Sequence, residues 1–99
     1  MNHQITEIQI LPIKPQNGIV AFASFLLDGC LYLSSIAIMT RLQGGFRLVY
    51  PTKKVGNRDI NIFHPINRDF AQMIEKDVIE KFEEVMNPND RYNRANLTT

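Results

Sequence analysis

The side chains able to do chemistry are few and scattered. His3 and His64 are the only imidazoles, and Cys30 is the only thiol. Metal capture needs several donors at fixed spacing, such as two histidines one helical turn apart or paired cysteines. Neither pattern is present, and a single cysteine leaves no intramolecular disulfide to form. His64 stands between Phe63 and Pro65 without a carboxylate cluster, and pairing it with Cys30 as nucleophile and base would need a tertiary coincidence that nothing in the sequence supports. Gly44-Gly45 lacks the following Lys-Ser/Thr of a phosphate loop. The inventory therefore predicts no enzyme, no cofactor, no metal and no small-molecule substrate. Cys30 reads as a buried or half-buried structural thiol, and His3 as part of a frayed terminus.

Binding chemistry is concentrated in one place. Tyr50-Pro51-Thr52-Lys53-Lys54 sets two ammonium groups beside a rigid turn and an aromatic ring, and Arg58 follows shortly. Flexible lysines attract phosphate without reading sequence, whereas a guanidinium can grip a phosphate or a base edge with two hydrogen bonds. Arg47 joins this group if the strand carrying it faces the same side. The competing reading is a solubilising loop, where lysines guard a sheet edge against aggregation.

The charge distribution sharpens this picture. Net charge is only +1, yet Arg41, Arg47, Lys53, Lys54 and Arg58 lie in a stretch without one acid. From Asp69 to Asp90 seven acids face only Lys76 and Lys81. The chain thus has a basic middle and an acidic end.

These residues need a scaffold. At 99 residues, with 44% apolar and 21% charged side chains, the chain suits one globular domain. Ile5, Ile8, Ile10 and Ile13 predict an edge strand broken by Pro12 and Pro15. Gln16-Asn17-Gly18 is a turn. Two long strands follow, about 19–27 and 30–40, joined at Asp28-Gly29. The 21 residues from Ile19 to Met39 carry the single charge Asp28. A carboxylate mid-span costs about 2.5–3.5 kcal/mol on membrane-insertion scales. A hairpin is therefore predicted and a membrane span is not. The polar Met1-Asn2-His3-Gln4 lacks the layout of a secretory signal, so a cytoplasmic protein is expected.

A short strand follows at 46–50, then a charged loop or wide hairpin over 53–58, and a further strand over 59–63 that Pro65 stops. From Arg68 to Met86 the apolar period changes from 2 to 3.6. Phe70, Met73, Ile74, Val78, Phe82, Val85 and Met86 form one stripe, and Asn67 is the expected N-cap. Pro88 closes the helix. The reading is an α+β domain over residues 1–86, with a flexible polar tail over 87–99. Its sheet is antiparallel, of four to five strands, followed by one long C-terminal helix. Both faces of the 19–40 hairpin are apolar: Ile19, Ala21, Ala23, Phe25 and Leu27 on one, Val20, Phe22 and Leu26 on the other. One helix covers one face, so a homodimer, or a helix donated between subunits, is expected.

Several motifs in order then resemble a known family. Phe46 to Tyr50, Pro51-Thr52-Lys53-Lys54, Arg58-Asp59-Ile60 and His64-Pro65-Ile66-Asn67 before a terminal helix are similar to the signature of the SpoVG (stage V sporulation protein G) family. The similarity runs from about Ile5 to Val85. It implies a small dimeric bacterial protein that binds DNA and/or RNA and influences gene expression, sporulation and septation. Lys53, Lys54, Arg58, Arg68 and Arg47 are then the candidate nucleic-acid contacts. The family's helix start usually carries further basic residues; here Ala71 and Met73 occupy those positions, and only Arg68 remains. A different reading is a protein-interaction module of a division or transcription complex, working through an exposed strand or the acidic helix face.

Overall fold

A computed structural model describes residues 2–87. The strands are β1 (Ile5–Gln16), β2 (Ile19–Leu27), β3 (Leu31–Thr40), β4 (Phe46–Val49), β5 (Thr52–Val55) and β6 (Arg58–Asn61), followed by the helix α1 (Arg68–Met86). The first four form one antiparallel sheet in the order β1-β2-β3-β4; β5 and β6 form a separate two-stranded sheet. The class is α+β, as expected. The polar tail expected over 87–99 falls almost wholly outside the described residues.

β1 is the edge strand that its prolines demand, but they do not break it. It continues through Pro12, paired with Ala21, to Gln16. An edge strand tolerates a residue without an N–H provided the missing donor faces away from the ladder. The Asp28-Gly29 turn also forms as predicted, with φ of 52° and 66°. Cys30 belongs to this turn, donating its amide to Leu27 at 2.9 Å, and its side chain is exposed. The expected buried thiol is thus corrected: β3 starts one residue later, and the turn lies beyond the packed part of the sheet.

Nor is His3 frayed. Its Nδ1 lies 2.9 Å from Asp28 Oδ2, and its ring meets Phe70 edge-on at 5.2 Å. Asp28 Oδ1 accepts from the Gln4 amide at 2.8 Å. The His3 hydrogen bond, then that of Gln4, hold the Asp28 carboxyl below its ordinary value of 3.8.

The core lies between one sheet face and α1. Ala21, Ala23 and Phe25 of β2, Ile36 and Ile38 of β3, and Leu48 of β4 meet Ile74, Val78 and Phe82 of the helix. Small Ala21 and Ala23 let the helix approach, and Phe25, fully buried, fills the space beside them. Val20 packs against this core instead of facing away, because the register slips between Ile19 and Ala21. The helix cap is as expected: Asn67 Oδ1 accepts from the Phe70 amide at 2.8 Å. The apolar stripe ends early, however. Val85 and Met86 are 38% and 47% exposed, so the last turn runs past the surface it would cover.

Among the described residues no helix covers the opposite sheet face. Strand register places Leu11, Phe22, Ala37 and Val49 in one cross-strand row, with Thr6, Leu26 and Tyr32 in another. Leu11 is 65% and Tyr32 63% exposed.

Candidate nucleic-acid interface

The basic middle of the sequence is divided among several elements. Arg41 is used structurally at the β3–β4 turn. Its Nε donates to the Phe46 carbonyl at 3.0 Å, and a terminal guanidinium nitrogen meets Glu75 Oε1 at 3.2 Å. It ties the sheet to the helix. Arg47 alternates with the core residues Phe46 and Leu48, so it projects from the helix-free face, beside the Met39 sulfur at 3.9 Å.

Lys53, Lys54 and Arg58 stand on the β5–β6 hairpin. The expected loop or wide hairpin over 53–58 is in fact a tight one, with Gly56-Asn57 as its two-residue turn. Only Gly56 of the pair has positive φ, at 62°, which suits the primed hairpin turn with glycine first. A Cβ there would meet nothing within 4 Å, so backbone conformation, not space, favours glycine. Asp59 to Phe63 therefore does not extend the main sheet; β6 ends at Asn61 and pairs only with β5 among the described residues.

At its base the ribbon is held by the Ile62 amide, which donates to the Pro51 carbonyl at 3.0 Å, and by the Tyr50 and Phe63 rings, 6.0 Å apart. Beyond this base all eight strand residues are exposed.

Neighbouring residues on a strand point to opposite faces. Lys53 therefore shares a face with Val55, Arg58 and Ile60, while Lys54 shares the other with Thr52, Asp59 and Asn61. Reading Lys53-Lys54 as one cationic pair misses this. Alternation itself was the available signal, hidden because the stretch reads as a loop. Among the described residues none of Lys53, Lys54 and Arg58 has an ion-pair partner within 4.0 Å.

Arg68 is the first residue of α1, exposed and adjacent to Asp69, away from the ribbon in sequence and on a different element. Met73 packs against the core, and Ala71 is half-buried. The two imidazoles share a shallow cleft at the helix start, lined also by Ile66, Asn67, Asp69 and Phe70. No spacing signal in the sequence joins residues 3 and 64. Among the described residues no group of three or more His, Cys, Asp or Glu side chains is placed to hold a metal ion.

The chain is thus an α+β domain that carries an exposed basic ribbon and a helix, Arg68–Met86, entered through His64-Pro65-Ile66-Asn67. The SpoVG family model matches residues 3–84, and the chain belongs to that family. Relatives named "Putative septation protein SpoVG" include one from Treponema denticola, 30% identical over 81 residues, covering 81% of this chain and 86% of the relative. Another, from Caldicellulosiruptor saccharolyticus, is 32% identical over 84 residues, covering 84% and 94%. One from Finegoldia magna is 35% identical over 82 residues, covering 82% and 75%.

Proposed function

We propose that this protein is a dimeric, cytoplasmic, non-enzymatic regulator that binds DNA or RNA and acts in gene expression, sporulation or septation. One observation carries the reading: Lys53, Lys54 and Arg58 stand on an exposed ribbon with no ion-pair partner among the described residues. A cation that stabilises the fold is normally packed or paired, as Arg41 is with Glu75. Cations held clear of the body are available to phosphate. Arg47 and Arg68 supply further positive charge from other elements. Family membership supports the regulatory role, and the names of the relatives support septation as its setting. Dimerisation is supported by the apolar rows of the helix-free sheet face, which a second copy would cover.

The test is binding to single- and double-stranded DNA and RNA across a salt titration. Phosphate neutralisation releases condensed cations, so about four contacts per dimer give a slope of log affinity on log salt of roughly −3 to −4 on duplex DNA. Lys53→Ala with Lys54→Ala should flatten the slope by about one to two units. Light scattering should report about twice the 11.4 kDa chain mass. The acidic outer face of α1, with Glu80 and Glu83 exposed, favours a second reading as a protein-interaction module. Salt-independent behaviour, with those acids required for activity in the cell, would select it.

A further inference from the structure

The two faces of the ribbon differ in a way that phosphate binding alone does not explain. Thr52, Lys54, Asp59 and Asn61 form one face, and every member is a hydrogen-bonding side chain. Lys54 lies directly across from Asp59, so the charges on that face cancel. On the other face Lys53 and Arg58 add without any acid, beside Val55 and Ile60. Of those two cations, Lys53 belongs to β5 and Arg58 to β6, one on each flank.

We infer that the ribbon lies in the major groove of duplex DNA, its Thr52-Lys54-Asp59-Asn61 face against base edges while Lys53 and Arg58 reach phosphates on the two walls. The inference rests on the nucleic-acid reading above and narrows it to a ligand class and a geometry.

Size permits it. Four residues of strand span about 13 Å, and two strands lie about 4.8 Å apart. The major groove of B-form DNA, about 12 Å wide, admits a two-stranded ribbon. The small Gly56-Asn57 tip adds no bulky side chain to the leading end.

Chemistry favours it. An aspartate laid on the sugar-phosphate backbone is repelled, whereas at the groove floor it accepts from the cytosine amino group. Asparagine pairs with adenine through two hydrogen bonds, lysine donates to guanine, and the threonine methyl suits the thymine methyl. A nearly neutral, donor-and-acceptor face is what base edges demand. Long cationic side chains on the flanks are what phosphates demand.

The other nucleic acids fit less well. The major groove of A-form RNA is too deep and narrow for side chains to read. Single strands are held by stacking on aromatic rings, and the ribbon strands carry none; Tyr50 and Phe63 at their base meet each other edge-on instead.

The experiment uses the full chain and duplex DNA recovered by selection from a 20-base-pair random-core library. Affinity for the selected duplex is compared with the same sequence as duplex RNA and as single-stranded DNA at one salt concentration. Dimethyl sulfate reports the groove, since guanine N7 lies in the major groove and adenine N3 in the minor. Duplex DNA should bind at least about 10-fold tighter than either alternative, with guanine N7 protected and adenine N3 reactive. Lys54→Ala and Asn61→Ala should each relax preference at a base pair by about 5- to 150-fold. Lys53→Ala and Arg58→Ala should weaken all sequences alike. All four positions are exposed, and unchanged thermal melting of each variant confirms intact folding. Duplex binding without N7 protection, or equal affinity for duplex RNA or single strands, overturns the groove assignment and leaves nucleic-acid binding standing. Absence of binding to all three overturns both.

Discussion

The main sheet and the ribbon use the same antiparallel ladder, and both alternate side chains between two faces, yet they have been shaped by different demands. In β2 the residues facing the helix are Ala21, Ala23 and Phe25, each at 2% exposure or less. In β5 and β6 no residue is buried, and the alternation separates a polar, charge-balanced face from a cationic one. Packing chooses the residues in the first case: size and shape must match the facing helix. In the ribbon no other element among the described residues buries the side chains, so packing does not explain why these residues stand there. The contrast teaches where to look for function, because an ordered element with no core of its own needs another reason for its sequence.

The sharpest way to break this contrast is to truncate one side chain in each region. Phe25→Ala removes a fully buried ring and should cost about 3–5 kcal/mol in urea unfolding, a large part of a small domain's stability. Ile60→Ala, on a side chain 49% exposed, should cost no more than about 0.5 kcal/mol. A comparable loss at Ile60 would mean that the ribbon is packed in solution, against a second copy for instance.

Asn67→Ala probes the junction where ribbon gives way to helix. It removes the side-chain acceptor of the Phe70 amide and should cost about 1 kcal/mol, with Asn67→Asp restoring most of it. Loss of nucleic-acid binding in Asn67→Ala at a temperature where the fold persists would tie the helix start, and Arg68 on it, to recognition.

A smaller effect than at Asn67 is expected at Tyr50, whose ring sits at the base of the ribbon. Its hydroxyl is buried without a hydrogen-bond partner among the described residues. Burial first, and the charge of Glu75 second, push its pKa from 10.0 up to about 12. A raised folded value means that the contribution to stability is whole below pH 10 and is lost as pH rises through about 12. Tyr50→Phe should therefore change stability by less than about 1 kcal/mol at neutral pH and flatten the decline above pH 10 in thermal melts. An unchanged alkaline limb would show that the hydroxyl is hydrated and not buried.

Periodicity explains which parts of the fold were legible. The change from period 2 to period 3.6 at Arg68 located α1, the asparagine before it identified the cap, and Asp28-Gly29 between two apolar runs located the central hairpin. Such signals are local: each depends on residues within one or two turns of one another. The candidate cations were legible for the same reason, as a run without acids.

Other features depended on contacts distant in sequence. His3 gained an ordered place only because Asp28 and Phe70 come to it. Arg41 became a structural residue through Glu75, 34 positions away. Val85 and Met86 obey the helical stripe, but the surface they would cover ends before they do. Lys53 and Lys54 parted company once Val55 and Arg58 closed a tight turn and set a register that alternates faces. By itself the sequence determined the helix, the long strands, where most turns fall and which residues carry charge, since backbone preference and apolar period are short-range properties. Tertiary structure alone decided that the last two strands stand apart from the sheet and which side of the ribbon each cation occupies, because strand partners and faces are fixed by long-range pairing and burial.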